Sequence, residues 1–287
     1  MDDVLRRWFP WLNKGLDYSP PAQRELMPLG KLLAYASPHL LPYVVHMLVI
    51  SVVASIIAPE HAYPIAVVLT AFTLIAFFAR GAYPELTVRG TTPGDWFLAI
   101  AVGVVGIVIW IAPYHYLWKV MFARVPILGN EHIYLSLDYG FEFAEDAFDK
   151  VMGGLILVPN QLPVPKYDPA SLEGAWRTIF IIFRMCGAVI TVPFFEELFT
   201  RSGIIRFAED EYYKRVPIGF YSRKGFLITM LIFVVAHPWW SVAVLWGLLI
   251  MWLLYYKRNL MLCICAHAVS NLILAIYVLA TGNYYLW

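Results

Sequence analysis

The chain has 287 residues, 61% of them hydrophobic and 14% charged, with a mean hydropathy of +0.66. Soluble domains run to about 45–50% apolar and about 25% charged residues, so a water-soluble core does not account for this much apolar surface. A formal net charge of +1 gives no basic excess, and no nucleic-acid partner is expected. The cysteines, Cys186, Cys263 and Cys265, all fall inside apolar runs, which excludes a secreted disulfide framework and reads as small core residues.

A spanning helix requires about 20 mostly apolar residues. Runs that approach this length lie at 39 to 58, 62 to 79, 96 to 117, 176 to 200, 225 to 240, 241 to 256 and 259 to 280. The expected fold is all-α: a polytopic transmembrane helical bundle of about seven to eight spans, forming a single membrane domain over 1–287. Residues 1–38 are charged and proline-bearing, have no apolar run of signal-peptide length, and read as a cytoplasmic or interfacial segment. Leu5, Trp8, Phe9 and Leu12 have helical spacing beside Arg6 and Arg7, although Pro10 opposes an interfacial helix there.

Residues 118–175 form a long polar loop. Its middle, within 131–149, is acidic and aromatic (Asp138, Glu142, Phe143, Glu145, Asp146, Phe148, Asp149), and its end is rich in proline (Pro159, Pro163, Pro165, Pro169). A solvated cap with one short surface helix is the expectation, with a substrate-binding lid as the alternative. Further on, only His237-Pro238-Trp239-Trp240-Ser241 divides two apolar runs, which predicts a tight hairpin.

Basic residues cluster in alternate connections: Arg6, Arg7, Lys14, Arg24 and Lys31; Arg80 and Arg89; Arg206, Lys214, Arg215, Arg223 and Lys224; Lys257 and Arg258. The positive-inside rule then puts the N-terminus in the cytoplasm and the C-terminus outside, long loops such as 118–175 being exempt. An integral, multi-pass protein of a bacterial plasma membrane is the expected location.

Ionisable groups inside spans are costly and mark function. In the last four runs these are Arg184, Glu196, Glu197, Arg201, His237 and His267, with Asn271 one turn after His267. Glu197 and Arg201 are i and i+4, so the arginine can hold that carboxylate ionised. Glu196 points about 100° away, with no local partner. An unpaired carboxylate in a low-dielectric site has a raised pKa, which suits a base that takes a proton from water.

Glu196-Glu197-x-x-x-Arg201, Phe233-x-x-x-His237 and His267-x-x-x-Asn271 occur in order on three predicted spans. This pattern resembles the CAAX protease and bacteriocin-processing family of intramembrane endopeptidases, which includes the Ras-converting CAAX endopeptidase and bacterial abortive-infection-like proteins. The resemblance covers 176–280, the expected catalytic core, and leaves out the first three spans and the acidic loop. It implies that Glu196 and His237 activate the attacking water, and that His267 and Asn271 stabilise the oxyanion or complete the site. Glu197, Arg201 and Phe233 would orient the site.

Glu196, His237 and His267 also suit a three-ligand zinc site with an open position for water. The same residues suit a metal-free, glutamate-activated water, and no His-Glu-x-x-His spacing favours zinc. The implied substrate is a membrane-associated protein or peptide, lipidated or not, met in the bilayer. Two alternatives stand: a transporter with an intramembrane Glu/His proton relay, although no repeated halves are visible, and a non-catalytic immunity or scaffold protein of the same fold. One conflict needs resolving. Glu196 falls near one end of the 176–200 run and His237 near the opposite end of its own, yet the pattern requires them to meet.

Overall fold

The computed structural model describes residues 9–19, 21, 26–116, 125–127, 130–136, 140–143, 168–237 and 240–286. Three helices come first: α1 (Leu29–Ser51), α2 (Pro59–Ala79) and α3 (Pro93–Tyr116). Strands β1 (Val125–Ile127), β2 (Asn130–Ser136) and β3 (Gly140–Phe143) follow as an antiparallel sheet in the order β1-β2-β3. The chain then returns as α4 (Gly174–Phe207), α5 (Arg223–Val235), α6 (Trp240–Lys257) and α7 (Leu260–Thr281).

Among the described residues, 6 segments are long and apolar enough to cross a membrane: Leu29–Ser55, Pro59–Ala79, Pro93–Ala112, Gly174–Phe207, Trp240–Lys257 and Leu260–Thr281. Large apolar side chains cover the outside of the bundle, among them Phe72, Ile75 and Phe78 on α2 and Leu227 and Leu231 on α5. So much exposed hydrocarbon suits lipid and not water. The chain is an integral membrane protein with an all-helical bundle, as composition implies.

Three expectations need correction. The first span starts at Leu29 and not at 39, so the end of the 1–38 segment is already helix. The fourth continues to Phe207, well past 200, because its late charges are answered inside the protein. Of the 118–175 loop, the described residues form the small sheet, a 3-10 turn at Pro169–Ser171 and the start of α4; Glu142 and Phe143 lie in β3, while Asp138 and 144–167 lie outside the described residues, and the expectation of a short surface helix is not tested by the rest. Finally, Cys263 is buried, but Cys186 is exposed on the bundle surface and is no core residue.

Helix ends are set by ordinary capping. The Asn259 carboxamide accepts from Leu262 N at 3.2 Å to start α7, and the Ser222 hydroxyl accepts from Gly225 N at 2.9 Å to start α5. Gly282, at φ 73°, ends α7 in the left-handed conformation and lets the chain fold back as a 3-10 turn, Tyr284–Leu286. Helix α3 lies against α6 and α7 through glycine. A Cβ on Gly103 would stand 2.6 Å from Ala266 O, and one on Gly106 2.8 Å from Trp246 Nε1.

Helix α4 is irregular around the expected site. It widens to π-helix at Gly187–Thr191 and again at Leu198–Ile204, on either side of Val192–Glu197. In the first widening Val192 N bonds back to Gly187 O, five residues away. Continuing that pattern would require Pro193 N to serve Ala188 O, and proline has no N–H. An Asn271 amide N–H fills the gap, donating to Ala188 O at 2.7 Å.

The end of α4 is pinned by a second cluster. Glu85, in the α2–α3 connection, meets His39 Nε2 of α1 at 2.6 Å and Arg206 Nη2 of α4 at 3.0 Å, and accepts from the Ser202 hydroxyl. The Tyr213 hydroxyl meets His39 Nδ1 at 2.8 Å. Burial pushes the Glu85 carboxyl up, but the His39 and Ser202 hydrogen bonds and the Arg206 charge outweigh it and hold the group down at about 2, against an ordinary 4.5. A carboxyl depressed in the folded state stabilises above its unfolded value, and that contribution is lost as pH falls through the folded one. Thermal unfolding in detergent should therefore show Glu85→Gln well below wild type at pH 7, with the gap closing between about pH 4.5 and about pH 2. A gap independent of pH would contradict the charge assignment.

Candidate active site

Two lengths resolve the depth conflict. Because α4 runs on to Phe207, Glu196 lies about 16 Å from its end, at about 1.5 Å per residue. Helix α5 has 13 residues, about 20 Å, too short for a hydrocarbon core of about 30 Å. His237, in the turn just after α5, is therefore inside the bundle and not at its far edge. His267 and Asn271 lie about 10 and 16 Å along α7 from the same end of the bundle.

Glu196, His237, His267 and Asn271 line one cavity of about 150 Å³. Phe233 lines it as well, whereas Glu197 and Arg201 lie behind it, both fully buried. Sequence reasoning did not single out other parts of the wall, among them Trp110 from α3, Trp246 from α6, Ser270 from α7 and Leu286 from the 3-10 turn. Ser270 adjoins Asn271, but the two tryptophans and Leu286 carry no motif spacing that could have marked them.

The buried pair is tied to the cavity through His267. Glu197 Oε1 faces Arg201 Nη1 at 3.4 Å and His267 Nδ1 at 2.9 Å. A carboxylate accepts, so His267 Nδ1 carries the hydrogen and Nε2 is the ring nitrogen left for the cavity. His237 is set in the same way: its Nδ1 donates to Phe233 O at 2.7 Å, one turn back, and again Nε2 remains. Phe233 thus has two functions at its spacing. Its carbonyl fixes the histidine tautomer, and its ring lies under the Arg201 guanidinium at 4.3 Å and parallel to Trp246 at 5.4 Å.

Glu196 is half-buried, and among the described residues its carboxylate has no hydrogen-bond or ion-pair partner. Its backbone oxygen accepts from the Thr200 hydroxyl at 2.5 Å, and Thr200 also takes Arg201 Nη1 at 2.8 Å. Two adjacent glutamates therefore have opposite settings: one sealed between Arg201 and His267, the other open to the cavity. Among the described residues no three His, Cys, Asp or Glu side chains are gathered as metal ligands. Glu196, His237 and His267 share the cavity without forming a three-ligand site, and no step below passes through a metal.

Residues 178–273 match the Rce1-like family, type II CAAX prenyl endopeptidase Rce1-like. Neither a curated protein nor a solved structure matches the chain. The Rce1-like stretch runs from α4 to the middle of α7 and holds Glu196, Glu197, Arg201, Phe233, His237, His267 and Asn271. Helices α1 to α3, including Trp110, lie outside it.

Removing the Arg201 guanidinium leaves Glu197 buried without its cation, a class of change that costs about 3–5 kcal/mol. Arg201→Ala should lower the unfolding midpoint in detergent more than Phe233→Leu does. Arg201→Lys should recover only part of the loss, because an ammonium does not stack on Phe233 as a planar guanidinium does. A wild-type midpoint for Arg201→Ala would show that the pair does not hold the helix.

Proposed function

We propose that the protein is an intramembrane endopeptidase that hydrolyses a peptide bond of a membrane-associated protein or peptide, with Glu196 and His237 activating the water. The observation that carries this reading is the meeting of an unpaired carboxylate, Glu196, with two histidines of fixed tautomer in one cavity within the bilayer-spanning bundle.

Glu196 and the Nε2 of neutral His237 are both hydrogen-bond acceptors. A water that donates one hydrogen to each keeps its oxygen lone pair free for a substrate carbonyl. As that oxygen bonds to the carbonyl carbon, Glu196 takes the proton and the carbonyl oxygen becomes an oxyanion. When the C–N bond breaks, the proton on Glu196 passes to the leaving amine and the carboxylate is restored. Donors aimed at the oxyanion in a water-excluded cavity contribute several kcal/mol. Asn271 has a second amide N–H for this task, the first being used on Ala188 O. His267, its Nδ1 engaged by Glu197, presents Nε2 to the same cavity. The membrane setting and the Rce1-like match support a substrate that is itself held at the bilayer.

The test is proteolysis by purified protein in detergent against lipidated and unlipidated membrane peptides. Wild type should cleave, and Glu196→Gln and His237→Ala should lose at least about 10³-fold in rate while keeping their unfolding midpoints. Arg201→Ala, acting through Glu197, should lose less than Glu196→Gln. Dialysis against a chelator should leave the wild-type rate unchanged. Full activity in Glu196→Gln would sink the assignment, and chelator loss restored by zinc would overturn the metal-free mechanism.

A further inference from the structure

The cavity has few hydrogen-bond donors to spare, and counting them points to a residue outside the Rce1-like stretch. Trp246 Nε1 is spent on the Ser270 hydroxyl at 3.4 Å, and that hydroxyl on Gly103 O at 2.7 Å. His237 Nδ1 is spent on Phe233 O, His267 Nδ1 on Glu197, and one Asn271 N–H on Ala188 O. One indole remains. Trp110 Nε1 is shut off from solvent and, among the described residues, has no acceptor, although its ring lines the cavity. Buried indole N–H groups ordinarily find a partner, and an orphaned one calls for an explanation.

The ring is also held in place. It meets His237 edge-on at 5.9 Å and packs against the apolar group of Val242, Val278 and Leu286. Behind it, Gly106 keeps α3 close to Trp246. A rigid donor on the wall of a hydrolytic cavity, beside the histidine proposed to hold the water, has a natural acceptor in the oxygen that gains charge during attack.

We infer that Trp110 is a catalytic residue whose indole N–H, together with the free Asn271 amide N–H, binds the oxyanion of the tetrahedral intermediate. The inference rests on the hydrolytic reading above. Trp110 transfers no proton; it donates a hydrogen bond that strengthens as the carbonyl oxygen takes up the electron pair. Such an interaction acts on kcat and hardly on KM, because the ground-state carbonyl carries little of that charge.

The experiment compares wild type, Glu196→Gln, Trp110→Phe and a protein with benzothienylalanine at position 110, in which sulfur replaces the ring N–H with the shape kept. With a membrane peptide that wild type cleaves, both position-110 changes should lower kcat roughly 100-fold, the usual cost of one oxyanion donor. KM should stay within about twofold, and the unfolding midpoint of the benzothienylalanine protein should match wild type. Wild-type kcat in that protein overturns the inference, even if Trp110→Phe is impaired, since shape alone would then be at work. A change confined to KM overturns it as well, since the donor would then act on the ground state. In each of these cases wild type cleaves and Glu196→Gln does not, so the hydrolytic reading survives. If wild type and Glu196→Gln both cleave nothing, the two fall together.

Discussion

A carboxylate removed from water is tolerable only where charges or hydrogen bonds replace its solvation, and Glu197 is met from two sides by groups on two helices. Arg201 faces it from one turn further along α4, and His267 reaches it from α7. The guanidinium is itself held over Phe233 of α5, with Trp246 of α6 at 5.7 Å. One ion pair thus connects four helices, and slipping any of them along its axis would strand a buried charge. That constraint fixes which nitrogen His267 offers to the cavity, and it makes the carboxylate next door the one left open.

The π-helical turns on either side of Val192–Glu197 are tied to the same chemistry. Pro193 leaves the Ala188 carbonyl without a backbone partner, and Asn271 supplies one from across the bundle. Asn271 therefore has a structural task whatever its part in the reaction. Widened turns of this kind commonly mark functional sites, because they turn side chains to faces a regular helix would not offer them. Here they place Glu196 on the cavity and Glu197 behind it, with the Thr200 hydroxyl satisfying the Glu196 carbonyl.

Much of this was legible in the sequence, for identifiable reasons. The bilayer sets the length of apolar runs, so most spans could be read directly. The i and i+4 spacings of Glu197 with Arg201 and of Phe233 with His237 are local, and both proved to be contacts. Depth was misread because two signals misled. Arg206 looked like part of a connection beyond the span, yet Glu85 neutralises it within α4, as Glu197 does Arg201. The run before His237 looked like a full crossing, yet α5 stops part-way. The bond from His267 to Glu197 joins residues 70 positions apart, and no local periodicity encodes it. Trp110 was invisible for a simpler reason: in an apolar run, an indole that lines a cavity reads like any other buried aromatic.

On this geometry Glu197 and His267 work as one unit, the carboxylate holding the imidazole for the cavity. A double-mutant cycle on peptide cleavage tests it directly, using wild type, Glu197→Gln, His267→Gln and the double variant, with folding checked for each. Residues that act as a unit lose activity non-additively, so the double variant should be no slower than the slower single one. Losses that multiply across the two positions would mean that each side chain acts independently, and the account of the site would have to be abandoned.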